Sequence, residues 1–459
     1  MRPVKQAELP MLIQRLQWIF DPVTFLEQNF KRSPDFFGGD AIGFGEKLVV
    51  TSHPKAIQDI LSRDRKQLSA PGDLSSLLEP VVGANSILML SGQRHRSRRQ
   101  LVLPPFHGER LSAYGELICY LAAKAAERLP MGKPFSARQM TQAISLRVIF
   151  EVVFGLHEGE RAARIRQLLT ETADRFGSPL TSAMLFFSWM QQDLGGWSPW
   201  GRFLRLRQQI DQLLYAEIRD RRSHPDPSRT DMLSLLMSAQ DETGQRLSDQ
   251  ELRDELMTLL FAGHETTATA MAWSLYWSHR QPEVRAKLLA ELATLGSKPD
   301  PVEIARLPYL TAVCQETLRR SPVAMLTFPR VAQEPVVVMG VPFDAGTIFT
   351  GCIYLTHQRP DLYRDPQEFR PERFLERKYS QYEFIPFGNG ARRCVGEALA
   401  LYEMKLVLAT LLTQGEFELA DSRPERPRRR GVTLAPARGV QLVLKSDHQA
   451  SSPQPPVRN

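Results

Sequence analysis

A chain of 459 residues, with 42% hydrophobic and 24% charged side chains, carries enough apolar material for a large buried core and belongs among globular proteins. Its formal net charge of +7 comes partly from two clusters, "RHRSRR" at 94–99 and "RPERPRRR" at 423–430. No zinc-ligand spacing, aromatic platform or helix-turn-helix pattern accompanies them, so nucleic-acid binding is set aside; the clusters read as solvated faces or as a patch that docks an acidic protein. Four separated cysteines, Cys119, Cys314, Cys352 and Cys394, form no CxxC pair, which excludes a disulfide framework and points to a reducing, cytoplasmic setting.

The first thirty residues hold no apolar run of about 18, so neither a signal peptide nor a membrane span is expected, although "LPMLIQRLQWIF" leaves a peripheral membrane contact open. "AIGFGEKLVVTS" at 41–52 reads as two short strands around a Gly-Glu turn, and Pro54 opens a helix. From about 109 to 300 the apolar periodicity is almost wholly helical. It ends in "LSDQELRDELMTLLFAGHETTATAMAWSLYWSHR", which is apolar on most sides through its middle, as expected of a helix that crosses the core. Strand-like pieces return after 325 in "LTFPRVAQ", "PVVVMGVPFDAG" and "GVTLAPARGVQLVLK". No long linker or internal repeat interrupts the chain, so one large mainly α unit with small β-sheets is expected over 1–445, followed by a disordered polar tail at 446–459.

The most chemically loaded stretch is "PFGNGARRCVG", Pro386 to Gly396, just before the helical run "EALALYEMKLVLATLL". A cysteine binds metal as its thiolate, and backbone amides, cations and a helix N-terminus all lower the pKa of a thiol. This loop offers all three around Cys394, with Arg392 and Arg393 as the cations and Gly388, Gly390 and Gly396 allowing tight turns and approach to a flat partner. A buried structural cysteine is the plain alternative.

Phe387, Gly390, Arg392, Cys394 and Gly396 match FxxGxRxCxG at every fixed position, and the loop resembles the haem-ligand loop of the cytochrome P450 family. That resemblance implies the P450 fold, a haem b cofactor, Cys394 as axial ligand of the iron, Phe387 shielding the sulfur and Arg392 at a haem propionate. Further motifs follow the family's order. "VCQETLRRSP" supplies Glu316 and Arg319 as ExxR, and Arg373 of "FRPERF" would complete a buried carboxylate–guanidinium network. "AGHETT" resembles [AG]Gx[DE]T[TS], with Thr266 as the hydroxyl at the oxygen site, Glu265 as the proton-relaying carboxylate and Gly263 leaving room beside the helix. By the same resemblance His95 and Arg99, at i,i+4 spacing, and Arg330 would be further propionate contacts, and His357 matches a family histidine whose role would be structural or near the haem edge.

The resemblance implies a monooxygenase that inserts one atom of O2 into a lipophilic substrate, with electrons from NAD(P)H through a separate ferredoxin or flavodoxin and its reductase. Arg392 and Arg393 would help form the docking face, and the enzyme would be a soluble monomer. "LQWIFDP", "PPFHGERL" and "AGHETTA" look most like a cyanobacterial or myxobacterial group acting on fatty acids, alkanes or terpenes. Substrate-facing positions would come from "APGDLSSLLEPVVGANSILML", "LTSAMLFFSWM", "PVAMLTF", Phe261, Ala262, Glu265, Thr433 and Leu434. A peroxide-driven hydroxylase of the same fold and a non-catalytic haem sensor or carrier remain as alternatives, each with less use for the Glu265–Thr266 pair.

Overall fold

The structure, a computed structural model, describes residues 10–447 apart from 46, 65, 156–158, 188–189 and 241–243. Its longest helix, Asp249–Arg280, starts at a capping box. Ser248 Oγ accepts from Glu251 N at 3.2 Å, while Ser248 N donates to the Glu251 carboxylate at 3.1 Å. Pro282 follows two residues after its end and cannot continue it. Leu252–Leu260 and Thr267–Tyr276 are buried, so this helix runs through the core as its composition requires.

Its most extensive packing is on the helix Ala137–Phe154. Gly263 makes that packing possible: a Cβ there would lie 2.7 Å from Ile149 Cδ1. The expectation that Gly263 leaves room beside the helix is therefore corrected, because Ile149 fills the space. Thr141 Oγ1 donates to Ala268 O at 2.9 Å across the same seam. The principal apolar cluster draws residues from Ile87 to Leu444, and the helix Glu397–Gln414 contributes one of its walls.

The sheets are small. In the largest, Leu48–Thr51 pairs parallel with Ile348–Gly351 and antiparallel with Phe36–Gly38, while Arg330–Ala332 and Leu68–Ser69 extend it. The strand expected just before the Gly-Glu turn lies earlier, at Phe36–Gly38. Ala41 and Ile42 instead bury themselves in a short turn of 3₁₀ helix that ends at Gly43 with φ of 100°. "RPRRR" likewise departs from the reading as a solvated face: Pro427–Arg430 is a strand paired with Thr433–Pro436, and Arg429 is buried over the Trp18 ring at 4.5 Å. The strand Gln441–Asp447 takes in the first two residues of the expected tail; 448–459 lie outside the described residues.

Between the helices Glu397–Gln414 and Ala137–Phe154, burial pushes the Glu403 carboxyl up to about 8, with the Ser145 hydroxyl pulling the other way. The folded state therefore holds Glu403 neutral where the unfolded chain ionises it. The stability this contributes is present below pH about 4.5 and is lost as pH rises towards 8. Glu403→Gln should match the wild type near pH 5 and gain on it by on the order of 1–3 kcal/mol at pH 8, read from denaturant melts at the two pH values.

Candidate active site

The cysteine loop is built by its own backbone. Gly388 and Gly390 adopt φ of 65° and 70°, which a side chain would resist, and Gly388 N donates to Ile385 O at 3.0 Å. Cys394 N then donates to Phe387 O at 3.0 Å, closing the loop, and Phe387 packs against the main core. At Gly390 a Cβ would stand 2.7 Å from Asp64 Oδ2, and that carboxylate accepts from Ala391 N at 2.9 Å. Asp64 thus pins the loop from below; no motif in the sequence marks it.

Cys394 keeps some surface open, whereas Cys314 and Cys352 are buried. The atoms packed around its sulfur still desolvate it and, with the Glu397 charge, push its thiol up, against the Gly396 amide and the charges of Arg99 and Arg393, which favour thiolate. A metal at the sulfur would tip this balance towards the thiolate.

Arg330 and Arg99 lie close enough to Arg392 to disfavour its charge, and Asp64 is the acid that acts on it the other way. Burial and these neighbours lower Arg392 to about 10. Arg330 donates to Asp64 Oδ2 at 3.0 Å, Phe328 O at 2.6 Å and Asn389 O at 3.2 Å. Arg392 gives its N–H groups to the carbonyls of Ala70, Ile87 and Leu90 and stacks over Phe328 at 4.4 Å. Among the described residues the donors of Arg330 and Arg392 rest largely on backbone carbonyls, with the Asp64 carboxylate beside them, in a half-buried place. The two propionates of a porphyrin could take up such donors by exchanging with the carbonyls. The residues therefore fit haem in the donors they offer.

His95 is buried, and Arg98 turns to the long helix, donating to Glu251 at 2.9 Å and to Glu255 at 3.2 Å. This separates Arg98 from Arg99, whose charge is felt at Cys394 and Arg392. Arg393 is tied to Glu397 at 2.6 and 2.7 Å. Arg392 is turned inward onto carbonyls, while Arg393 is half-exposed beside the Glu397 carboxylate, so of the two arginines expected in a docking face Arg393 is the one at the surface.

On the long helix, Thr266 Oγ1 donates to Ala262 O at 2.6 Å, and Ala262 is exposed although the turns on either side are buried. Glu265 points away to the opposite side. Its Oε1 accepts from Arg138 at 2.8 Å and from Arg430 at 2.7 Å, and its Oε2 from Gln142 at 2.9 Å. Arg430 reaches on to Asp174 at 2.8 Å, and Gly177 leaves room for its guanidinium. Glu265 is thus not a substrate-facing position. Met184, Leu185, Met325 and Leu434, also expected there, pack in the core.

Glu316, Arg319 and Arg373 meet in the interior. Arg319 holds the Glu316 carboxylate through two parallel bonds of 2.7 and 2.8 Å, and Arg373 Nε reaches it at 3.0 Å. Arg319 also donates to the carbonyls of His357, Pro366 and Glu368. His357 is buried and held neutral down to about 3 by desolvation and the Arg319 charge. Its Nε2 accepts from Ile385 N at 3.0 Å, which links this network to the root of the cysteine loop.

A mainly helical frame, a cysteine loop leading into a helix and a cationic cradle beside it define a haem-binding oxidoreductase. The family model for Cytochrome P450 matches residues 16–443, and the chain belongs to the cytochrome P450 family. It is a haem b monooxygenase that uses O2, a small-molecule substrate and an electron-donating redox partner. It is 34% identical to a Mycobacterium tuberculosis protein named as cytochrome P450 135B1, over 96% of this chain and 91% of that one. It is 36% identical to another from the same organism named as cytochrome P450 137, over 80% of this chain and 74% of that one. Among solved structures, retinoic acid-bound cyanobacterial CYP120A1 superposes with a TM-score of 0.82 at 24% identity, covering 94% of this chain and 96% of that one. Among the described residues no helix is long and apolar enough to cross a membrane.

Proposed function

We propose that Cys394 is the axial thiolate, that His95, Arg99, Arg330 and Arg392 hold the propionates, that Phe387 covers the sulfur, and that residues 1–445 form one haem domain. Haem b, when bound, supplies the redox chemistry that splits O2, placing one oxygen atom in a C–H bond and releasing the other as water. Thr266 and Glu265 manage the protons. The Thr266 hydroxyl, which donates to the Ala262 carbonyl, would turn to hold a proton at the oxygen site, and Glu265 would pass protons inward from the Arg138–Arg430 cluster. A polar groove of about 460 Å³, lined by Arg138, Gln139, Arg430 and Arg438, leads from the surface to that cluster.

The observation that carries this reading is the adjacent acid and alcohol, both partly buried in the middle of the long core helix, the acid fixed by two arginines. Such a pair is costly to keep inside a protein without a use. It favours O2-driven monooxygenation over a peroxide-driven hydroxylase or a haem carrier. The substrate is lipophilic, a fatty acid, alkane, terpene or retinoid-like chain, and the electrons arrive through a ferredoxin or flavodoxin with its reductase.

The reduced carbon monoxide difference spectrum should show the band typical of thiolate-ligated haem; its absence from haem-loaded protein would overturn the assignment of Cys394. Thr266→Ala should keep that band and lower product formed per NAD(P)H consumed by roughly tenfold or more. Unchanged coupling, with full turnover on hydrogen peroxide, would favour the peroxide-driven alternative. A spectral-shift screen with fatty acids, terpenes and retinoids then ranks the substrates.

A further inference from the structure

The face of the Ala137–Phe154 helix that looks away from the active site carries a second binding feature. Arg138, Thr141 and Gln142 turn to the long helix, as their bonds to Glu265 and Ala268 show. Gln139, Ala143 and Arg147, at spacings of four, therefore lie on the outward side. There a groove of about 590 Å³ runs between this helix and Gly115–Glu127, its floor mainly apolar with Leu121, Ala125, Leu129, Phe135, Met140 and Ile144. That volume is within the range of small-molecule sites, roughly 300–1,000 Å³.

Arg147 and Arg166 stand at the edge of the groove, and an adjoining depression continues past them towards Thr170. Among the described residues neither has a carboxylate partner. The charge acting on Arg166 is that of Arg147, and its guanidinium lies 5.3 Å from the centre of the Phe150 ring. The acids nearby are engaged elsewhere: Glu127 with Lys124 at 2.8 Å, Glu171 with Arg175 at 2.9 Å and Asp174 with Arg430 at 2.8 Å. Two facing like charges beside a long apolar trough are unfavourable until an anion joins them, and Arg pairs bind carboxylate or phosphate oxygens well.

We propose that this groove is a surface site for a single-chain amphiphilic anion, whose carboxylate or phosphate headgroup lies between Arg147 and Arg166 and whose alkyl chain runs along the trough towards Phe135. The site is separate from the haem pocket and does not depend on which substrate is oxidised there.

Haem-loaded protein and dodecyl phosphate test it, with bound ligand counted by equilibrium dialysis and haem-pocket occupancy followed separately by the absorbance shift of the haem. The wild type should bind dodecyl phosphate at a site where inorganic phosphate competes at least tenfold more weakly. Arg147→Glu with Arg166→Glu should weaken that site at least tenfold and leave the haem response unchanged. Ala143→Trp, which fills the groove from an exposed position, should do the same with both arginines intact. Equal binding by inorganic phosphate would reduce the site to a bare anion contact and overturn the proposal. So would dodecyl phosphate affinity unchanged in both variants, or lost only in step with the haem response.

Discussion

Cys394→Ser is expected to give a folded protein without the thiolate signature. What fixes the loop of Cys394 is backbone: Cys394 N on Phe387 O, Ala391 N on Asp64, and the left-handed glycines 388 and 390. Serine preserves all of these, so in the haem-free proteins the melting stability should stay within about 0.5 kcal/mol of the wild type, whereas the stability that bound haem adds should shrink. What serine removes is acidity. The Gly396 amide and the charges of Arg99 and Arg393 pull a thiol towards its anion, but a hydroxyl starts far higher and stays protonated. The carbon monoxide band should therefore leave the thiolate position, and hydroxylation should fall at least about 100-fold. Circular dichroism melts beside the difference spectrum separate this outcome from misfolding, and a variant that kept the thiolate band would remove Cys394 from the site.

The same loop shows what a sequence can and cannot convey. Cys394, Glu316 with Arg319, and Glu265 with Thr266 are legible because each chemistry needs particular side chains at short fixed spacings, and those spacings survive in one dimension. The partners of Glu265 are not: Arg138 and Arg430 lie 127 and 165 positions away, on another helix and on a strand. Within "RPERPRRR" nothing distinguishes Arg429 and Arg430 from the solvated arginines beside them. Strand pairing and Trp18 bury the first, and a carboxylate on the long helix draws in the second. Gly263 misled for a related reason. A glycine in a helix announces a close approach without saying to what, and Ile149 rather than a ligand makes that approach. The mainly helical fold followed from strong 3.6-residue periodicity, whereas the first strand was misplaced because a few apolar residues such as Ala41 and Ile42 serve a tight turn as well as a strand.

The second large effect is expected at Glu316, far from any substrate. Its two oxygens receive four donors: Arg319 twice, Arg373 Nε at 3.0 Å and Arg370 N at 2.8 Å. Glu316→Gln keeps the shape and removes the charge. Two guanidiniums that are at most 2% exposed then lose their counter-ion, and breaking a buried pair in this way costs about 3–5 kcal/mol. That is a large share of a total stability of roughly 5–15 kcal/mol. The loss should reach the cofactor along a traceable path. Arg319 holds the His357 carbonyl at 2.8 Å, and the His357 ring holds Ile385 N, one residue before the Pro386 that opens the cysteine loop. Loosening of Arg319 therefore frees the root of the loop, and the variant should be recovered with little haem per chain and a melt lowered by several kcal/mol. Because the pair is out of reach of counter-ions, 1 M salt, with a screening length of about 3 Å, should leave that deficit nearly unchanged, whereas it would erase the contribution of a surface pair. Haem content from absorbance and denaturant melts at low and high salt measure both, and full haem retention with a melt within about 1 kcal/mol of the wild type would mean that the loop is anchored elsewhere.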